Sequence, residues 1–149
     1  MQLIRLAKPE EIIEIINLIR RSFAASILIY NESPPDYDSW QKIREHIDNQ
    51  HCYIYYEDNH ILGGAIIYKK EFNTMYLSRI FVDPECNNRG IGSNLMNFLL
   101  SKYSSSNWLL HCIKDDKRLE KFYCKLGFKK IGEETPQKVT LSIYRKELE

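Results

Sequence analysis

The chain has 149 residues, 44% of them hydrophobic and 28% charged, with 21 basic side chains against 20 acidic ones. A formal charge of +1 gives no electrostatic reason to expect nucleic acid or an anionic membrane as a partner. No apolar run approaches the roughly 20 residues that span a bilayer, and the length suits one domain, residues 1–149, with a real hydrophobic core.

Met1 to Leu6 shows no basic stretch ahead of an apolar core and a small-residue cleavage site, so export is not expected. Cys52, Cys86, Cys112 and Cys124 fall into no CxxC or similar ligand pairing. They are expected as reduced thiols of a cytoplasmic protein, with no metal site and no disulfide framework.

Leu3 to Leu6 reads as a short strand. Pro9, Glu10 and Glu11 then open a helix, because proline fits the first turn and acidic side chains suit its positive end. Ile12, Ile15, Ile16, Ile19 and Phe23 recur at helical spacing and give it one apolar face. Asn31 to Asp38 is a polar loop. A second helix is expected over Tyr37 to Asn49, capped by Asp36 or Asp38, with Trp40, Ile43 and Ile47 inward.

Cys52 to Glu57 and Ile61 to Lys70, separated by Asp58-Asn59-His60, form a hairpin signature. Thr74 to Val82 is a third strand in that run. Gly90 to Tyr103 switches to helical periodicity through Ile91, Leu95, Phe98 and Leu99. Trp108 to Ile113 is a strand, and Asp116 to Leu126 a helix carrying Leu119, Phe122, Tyr123 and Leu126, with Gly127 as the residue that ends it. Phe128 to Glu133 and Val139 to Arg145 are the closing strands. The expected architecture is an α/β domain with a mixed sheet, in which Thr74 to Ile113 makes a parallel strand–helix–strand unit.

The most informative stretch is Ile80-Phe81-Val82-Asp83-Pro84-Glu85-Cys86-Asn87-Asn88-Arg89-Gly90-Ile91-Gly92-Ser93. A strand ends, a polar turn follows, and a helix begins at Gly90-x-Gly92. Glycines remove side chains that would block approach to the first-turn N–H groups, which lack helical partners and sit at the positive end of the helix. A pyrophosphate suits that position, and Arg89 and Ser93 add a cation and a hydroxyl. Taken alone, the two glycines equally describe a tight turn. A P-loop would need GxxxxGK[ST], and the dinucleotide fingerprint lacks its third glycine here. Just upstream, Leu77 breaks the alternation of Tyr76, Ser78, Ile80 and Val82. Either a β-bulge between Leu77 and Ile80 or mixed burial of a central strand accounts for this; a bulge would free main-chain groups for an extended ligand.

These residues resemble the GNAT superfamily of N-acetyltransferases. Leu77 to Val82, Asp83-Pro84-Glu85 and Arg89-Gly90-Ile91-Gly92 look like its acetyl-CoA pyrophosphate motif. Leu119-Glu120-Lys121-Phe122-Tyr123-Cys124-Lys125-Leu126-Gly127-Phe128 looks like its FYxxxGF pattern, and the order of elements fits nearly the whole chain. The resemblance implies a GNAT-like, mostly antiparallel sheet of about seven strands flanked by four helices. It also implies acetyl-CoA as co-substrate, bound by Ile80, Phe81, Val82, Asn88, Arg89, Gly90, Ile91, Gly92, Ser93 and Asp116. A homodimer is common in the family, but the residues themselves do not give this chain's oligomeric state. Two positions depart from the family pattern. Asn87 stands where Gln or Arg is common, and Asp116 where Asn is common, which puts one phosphate contact and one hydrogen bond in question.

The implied reaction is direct transfer: a neutral amine attacks the thioester carbonyl and coenzyme A leaves as a thiolate. An alkylamine of pKa ~10 must first lose a proton. By the residues alone Tyr123 reads as core beside Leu119, Phe122 and Leu126; the resemblance implies that it protonates the departing sulfur. His111 alternates away from Leu110 and Cys112 and stands where some members have a glutamate base, so it is either the base or a structural histidine. Glu71, Glu32, Asp36 and ordered water are the other candidates. The acceptor amine is not readable. Ile27 to Trp40 and the tyrosines Tyr53, Tyr55 and Tyr56 either receive a cationic amine or pack on the sheet. The rival function is a non-catalytic acyl-CoA-binding module of the same fold.

Overall fold

The computed structural model describes residues 2–30, 36–136 and 138–148, apart from the side chains of Gln2 and Tyr30. In chain order the elements are β1 (Gln2–Leu6), a 3-10 turn (Pro9–Glu11), α1 (Ile12–Tyr30), α2 (Trp40–Asp48), β2 (Cys52–Glu57), β3 (His60–Glu71) and β4 (Thr74–Val82). A second 3-10 turn (Pro84–Cys86), α3 (Ile91–Lys102), β5 (Asn107–Ile113), α4 (Lys117–Lys125), β6 (Lys129–Glu134) and β7 (Leu141–Lys146) follow. The seven strands form one sheet in the order β1-β2-β3-β4-β5-β7-β6. The pairing is antiparallel in β1–β2, β2–β3, β5–β7 and β6–β7, and parallel in β4–β5. This is the expected mixed α/β architecture.

The chain divides into two compact units. One comprises Met1–Ile66 with Arg79–Phe98, the other Ile67–Ser78 with Leu99–Glu149.

In the first unit, the isoleucine stripe of α1 does what its spacing predicts. Ile12, Ile15, Ile16, Leu18 and Ile19 pack with Ile43 and Ile47 of α2 against Cys52, Ile54, Ile66 and Phe81. Each fully buried aliphatic side chain of this kind contributes about 1.5–3 kcal/mol relative to exposure. A second cluster gathers Tyr55, Ile91 and Leu95 with Ile80 and Val82. Asp58 and Asn59 both take positive φ, 49° and 66°, the conformation that a two-residue hairpin turn requires.

The start of α2 differs from expectation. The helix begins at Trp40, not Tyr37, and its cap is Ser39, whose hydroxyl accepts the Lys42 N–H at 3.3 Å. Neither Asp36 nor Asp38 caps it. Asp38 is held by the Arg20 guanidinium at 2.9 Å, and Asp36 sits in a left-handed turn conformation at φ 56°. Trp40, at the first helical position, is 52% exposed and does not point inward.

In β4 the two readings of the broken alternation can be told apart. Leu77 and Phe81 are buried while Tyr76, Ser78, Ile80 and Val82 are each partly buried. Tyr76 lies against Tyr68 and Lys70, which share one face of β3 with Ile66. Phe81 packs with that Ile66, whereas Ile80 and Val82 pack on the Tyr55–Ile91–Leu95 cluster. The side chains therefore change face between Leu77 and Ile80, as a bulge there requires. The ladder with β5 takes in Thr74 to Leu77 and leaves the rest of β4 outside it.

In the second unit, Trp108, Leu110 and Cys112 of β5 are buried, as are Tyr123, Phe128 and Tyr144. Gly127 ends α4 at φ 98°, as its position after the last helical turn implies.

Candidate active site

The polar turn after β4 is built from local bonds. Asp83 accepts the Glu85 N–H at 3.0 Å, and its own N–H donates to Leu62 O at 2.8 Å. Asn88 and Gly90 then adopt left-handed backbone, φ 72° and 76°, with Arg89 between them. Alternation of this kind turns successive N–H groups toward one concavity, a favourable seat for an anion.

The first intrahelical bond of α3 runs from Asn94 N–H to Gly90 O at 2.9 Å. Gly90 is therefore the N-cap, and the N–H groups of Ile91, Gly92 and Ser93 precede the helical ladder. A glycine has no side-chain oxygen with which to claim them. A β-carbon placed on Gly90 would meet nothing within 4 Å, so the flank of the turn is open. Asn88, Arg89, Gly90 and Ser93 are exposed, whereas Ile91 is buried and anchors the helix. Arg89 pairs with the Glu57 carboxylate, and its other terminal nitrogen lies 3.8 Å from Cys86 Sγ. Donors, an open approach and a cation fit the diphosphate of coenzyme A.

The expected contacts of Ile80, Phe81 and Val82 have different standing. The Phe81 side chain is core, and Ile80 and Val82 pack on the Tyr55–Ile91–Leu95 cluster. Any ligand contact falls to the main chain. Asp83 N–H points to β3, so Val82, one residue earlier, presents its N–H and C=O to the opposite edge. There the Val82 N–H donates to Ser22 Oγ at 3.3 Å. Nothing in the sequence marked Ser22.

The sequence did carry an unread sign in Gly63-Gly64. A β-carbon on Gly64 would lie 2.5 Å from the Phe81 ring, and one on Gly63 would lie 2.9 Å from Ile91 Cγ2. Paired glycines inside a strand mark such a close approach. Here they let the first residue of α3 seat against the sheet.

The second unit holds the proposed proton-handling groups. Tyr123 is 4% exposed, and its ring meets those of Phe122, Phe128 and Tyr144. Burial pushes its pKa up, with a smaller push from Cys112, so it stays a phenol at neutral pH. Asp116 is the N-cap of α4: its Oδ1 accepts the Leu119 N–H at 3.2 Å.

His111 is engaged through both ring nitrogens. Nε2 lies 3.0 Å from Glu134 Oε1, and Nδ1 lies 2.8 Å from the Tyr76 hydroxyl. Burial lowers its pKa; Glu134 opposes that shift and Lys70 adds to it. Tyr76 and Glu134 are further residues that sequence reasoning missed.

The two groups occupy opposite faces of β5. Tyr144 stands across from Leu110 in the β5–β7 register, and its ring lies 6.3 Å from that of Tyr123. Tyr123 therefore packs on the Leu110 face. Tyr76 stands across from Leu109, so it shares the other face with His111.

Of the other candidates, Glu71 faces Arg145 at 3.7 Å, and the Asp36 carbonyl accepts from Arg79 at 2.9 Å. Glu32 lies outside the described residues, as does part of Ile27 to Trp40. Tyr53 and Tyr55 are buried, and Tyr56 carries the Arg5 guanidinium over its ring at 5.0 Å, so these tyrosines pack. Among the described residues, no group of His, Cys, Asp and Glu is arranged to hold a metal ion, and no helix is long and apolar enough to cross a membrane.

A family model described as the acetyltransferase (GNAT) family matches residues 12–128. The chain belongs to that family. No curated protein sequence matches it. Solved structures share its fold. A GNAT-family acetyltransferase from Streptococcus agalactiae aligns with a TM-score of 0.83 at 19% identity, over 99% of this chain and 96% of that one. The PaiA N-acetyltransferase from Thermoplasma acidophilum, in complex with coenzyme A, gives 0.77 at 20% identity over 99% of each chain. The ribosomal-protein-S18-alanine N-acetyltransferase from Escherichia coli gives 0.78 at 16% identity, over 99% of this chain and 94% of that one. At such identities the likeness establishes the fold.

Proposed function

We propose that the protein transfers an acetyl group from acetyl-CoA to a primary amine, on a small molecule or at a peptide or protein amine, by direct transfer in a ternary complex. The observation that carries this is the N-terminus of α3, where a glycine N-cap leaves three main-chain donors unclaimed beside Arg89. Family membership gives that arrangement its ligand. The whole chain, 1–149, is assigned to one catalytic domain. A cytoplasmic setting fits the four unpaired cysteines.

Acetyl-CoA supplies an activated carbonyl. The chain's own residues then have two proton tasks. Tyr123, kept as a phenol by burial, donates its proton to the departing sulfur. His111 serves the amine on the opposite face of β5, where its lowered pKa keeps it unprotonated and able to accept.

Calorimetric titration with coenzyme A, followed by thiol release from acetyl-CoA across a panel of amines and peptide N-termini, tests the proposal. Coenzyme binding with turnover on at least one class of amine is the expected result. No affinity for the coenzyme overturns the assignment. Binding without turnover on any amine would instead identify an acyl-CoA-binding module.

A further inference from the structure

Within that proposed reaction, the bonds around His111 point to a different group as the one that meets the amine. We infer that Tyr76, His111 and Glu134 form a proton relay in which the Tyr76 oxygen accepts from the incoming ammonium, His111 takes the phenol's proton, and Glu134 holds His111 in place.

The tautomer follows from the partners. An ionised carboxylate only accepts hydrogen bonds, so the 3.0 Å contact with Glu134 requires a hydrogen on Nε2. Nδ1 is then the bare nitrogen. At 2.8 Å it accepts the Tyr76 O–H. With both nitrogens occupied, His111 has no lone pair free for a substrate. The Tyr76 oxygen does, because its hydrogen points into the imidazole.

Three strands bring the members together. Tyr76 comes from β4, His111 from β5 and Glu134 from β6. Lys70 lies over the Tyr76 ring with Nζ 4.3 Å from the centroid, and the Tyr68 ring stands 5.4 Å from it. Ile143, across from His111 on β7, is apolar. Burial, Tyr68 and Glu134 push the Tyr76 pKa up to about 12. Tyr76 therefore passes a proton on without accumulating as phenolate.

The step balances. One N–H bond of the ammonium breaks as an O–H bond forms at Tyr76. The original phenol hydrogen moves to Nδ1, and the amine nitrogen keeps the electron pair with which it attacks. The imidazolium is paired with Glu134, whose side chain is 51% exposed, and returns its proton to water after the amide leaves. Tyr76 is thus the catalytic residue, His111 the proton acceptor behind it, and Glu134 a positioning residue.

The test uses the full chain with whichever amine turns over. Tyr76→Phe keeps the ring and removes the hydroxyl. Its kcat/KM for the amine should fall about 100-fold, with coenzyme A affinity unchanged. Glu134→Gln should move the acid limb of the pH–rate profile to lower pH, because Glu134 raises the His111 pKa and its loss lets that pKa fall. Imidazole 15N spectra, with His111 assigned by His111→Gln, should show the Nε2–H tautomer in the wild type. Wild-type turnover with an unchanged rate in Tyr76→Phe, or a His111 spectrum of the Nδ1–H tautomer, overturns the relay and leaves the acetyltransferase assignment standing. A wild-type protein that acetylates no amine overturns both.

Discussion

The first turns of α3 and α4 are built for opposite purposes. Each helix follows a sheet strand and opens after a short polar turn. At α4 the Asp116 carboxylate takes the Leu119 N–H, and Glu120 adds an acidic side chain to the first turn. Donor and dipole are satisfied from within. At α3 the cap is a glycine, the first turn has no acidic residue, and Arg89 precedes it. A helix that leaves its donors unclaimed keeps them for an anion from outside. What α4 brings to the proposed reaction is the Tyr123 side chain on its buried face. One helix offers main chain, the other a phenol.

Two substitutions should separate these roles. Tyr123→Phe removes the only acid assigned to α4. It is expected to lower turnover by about 100-fold, within the usual contribution of a positioned acid, with the Kd for coenzyme A unchanged. A normal turnover number would take Tyr123 out of the chemistry and leave it a packing residue. Gly90→Asp sets a carboxylate at the mouth of α3, at a left-handed φ of 76° that a side chain takes only under strain. An internal carboxylate would then compete for the N–H groups and repel phosphate, so coenzyme A affinity should fall about tenfold, or about 1.4 kcal/mol. Equal affinity by calorimetry would mean that the diphosphate does not sit at this turn.

The contrast was half legible in the sequence. Gly90-x-Gly92 after a strand and the helical spacing of Leu119, Phe122, Tyr123 and Leu126 depend on local order alone, so spacing revealed them. The cap of α2 was not so readable. Asp38 is the better capping residue on paper, but Arg20, 18 residues away, binds its carboxylate and leaves the task to Ser39. The Tyr76–His111 bond spans 35 residues. Alternation shows which face His111 takes, yet only the register of β4 on β5 brings Tyr76 beside it. Arg89 and Glu57 met for the same kind of reason, at a separation of 32 residues. Long-range pairing of polar side chains leaves no periodic trace.

A smaller effect probes whether the α4 cap is purely structural. Asp116→Ala removes the acceptor of the Leu119 N–H and should destabilise the fold by about 1 kcal/mol, lowering Tm by roughly 3 °C for a chain of this size.

Asp116→Asn is the finer instrument. Asparagine caps a helix about as well as aspartate, so Tm should stay within roughly 1 °C of wild type. The change does remove a negative charge from the position where the family commonly has Asn. If that position faces the coenzyme, the carboxylate opposes a polyanionic ligand, and its removal should tighten coenzyme A binding by about threefold, or about 0.7 kcal/mol. Added salt should shrink that gain, because screening weakens any interaction between exposed charges. An Asn variant that binds no better at low salt would make Asp116 a cap and nothing more, leaving the N-terminus of α3 as the only anion seat of the two.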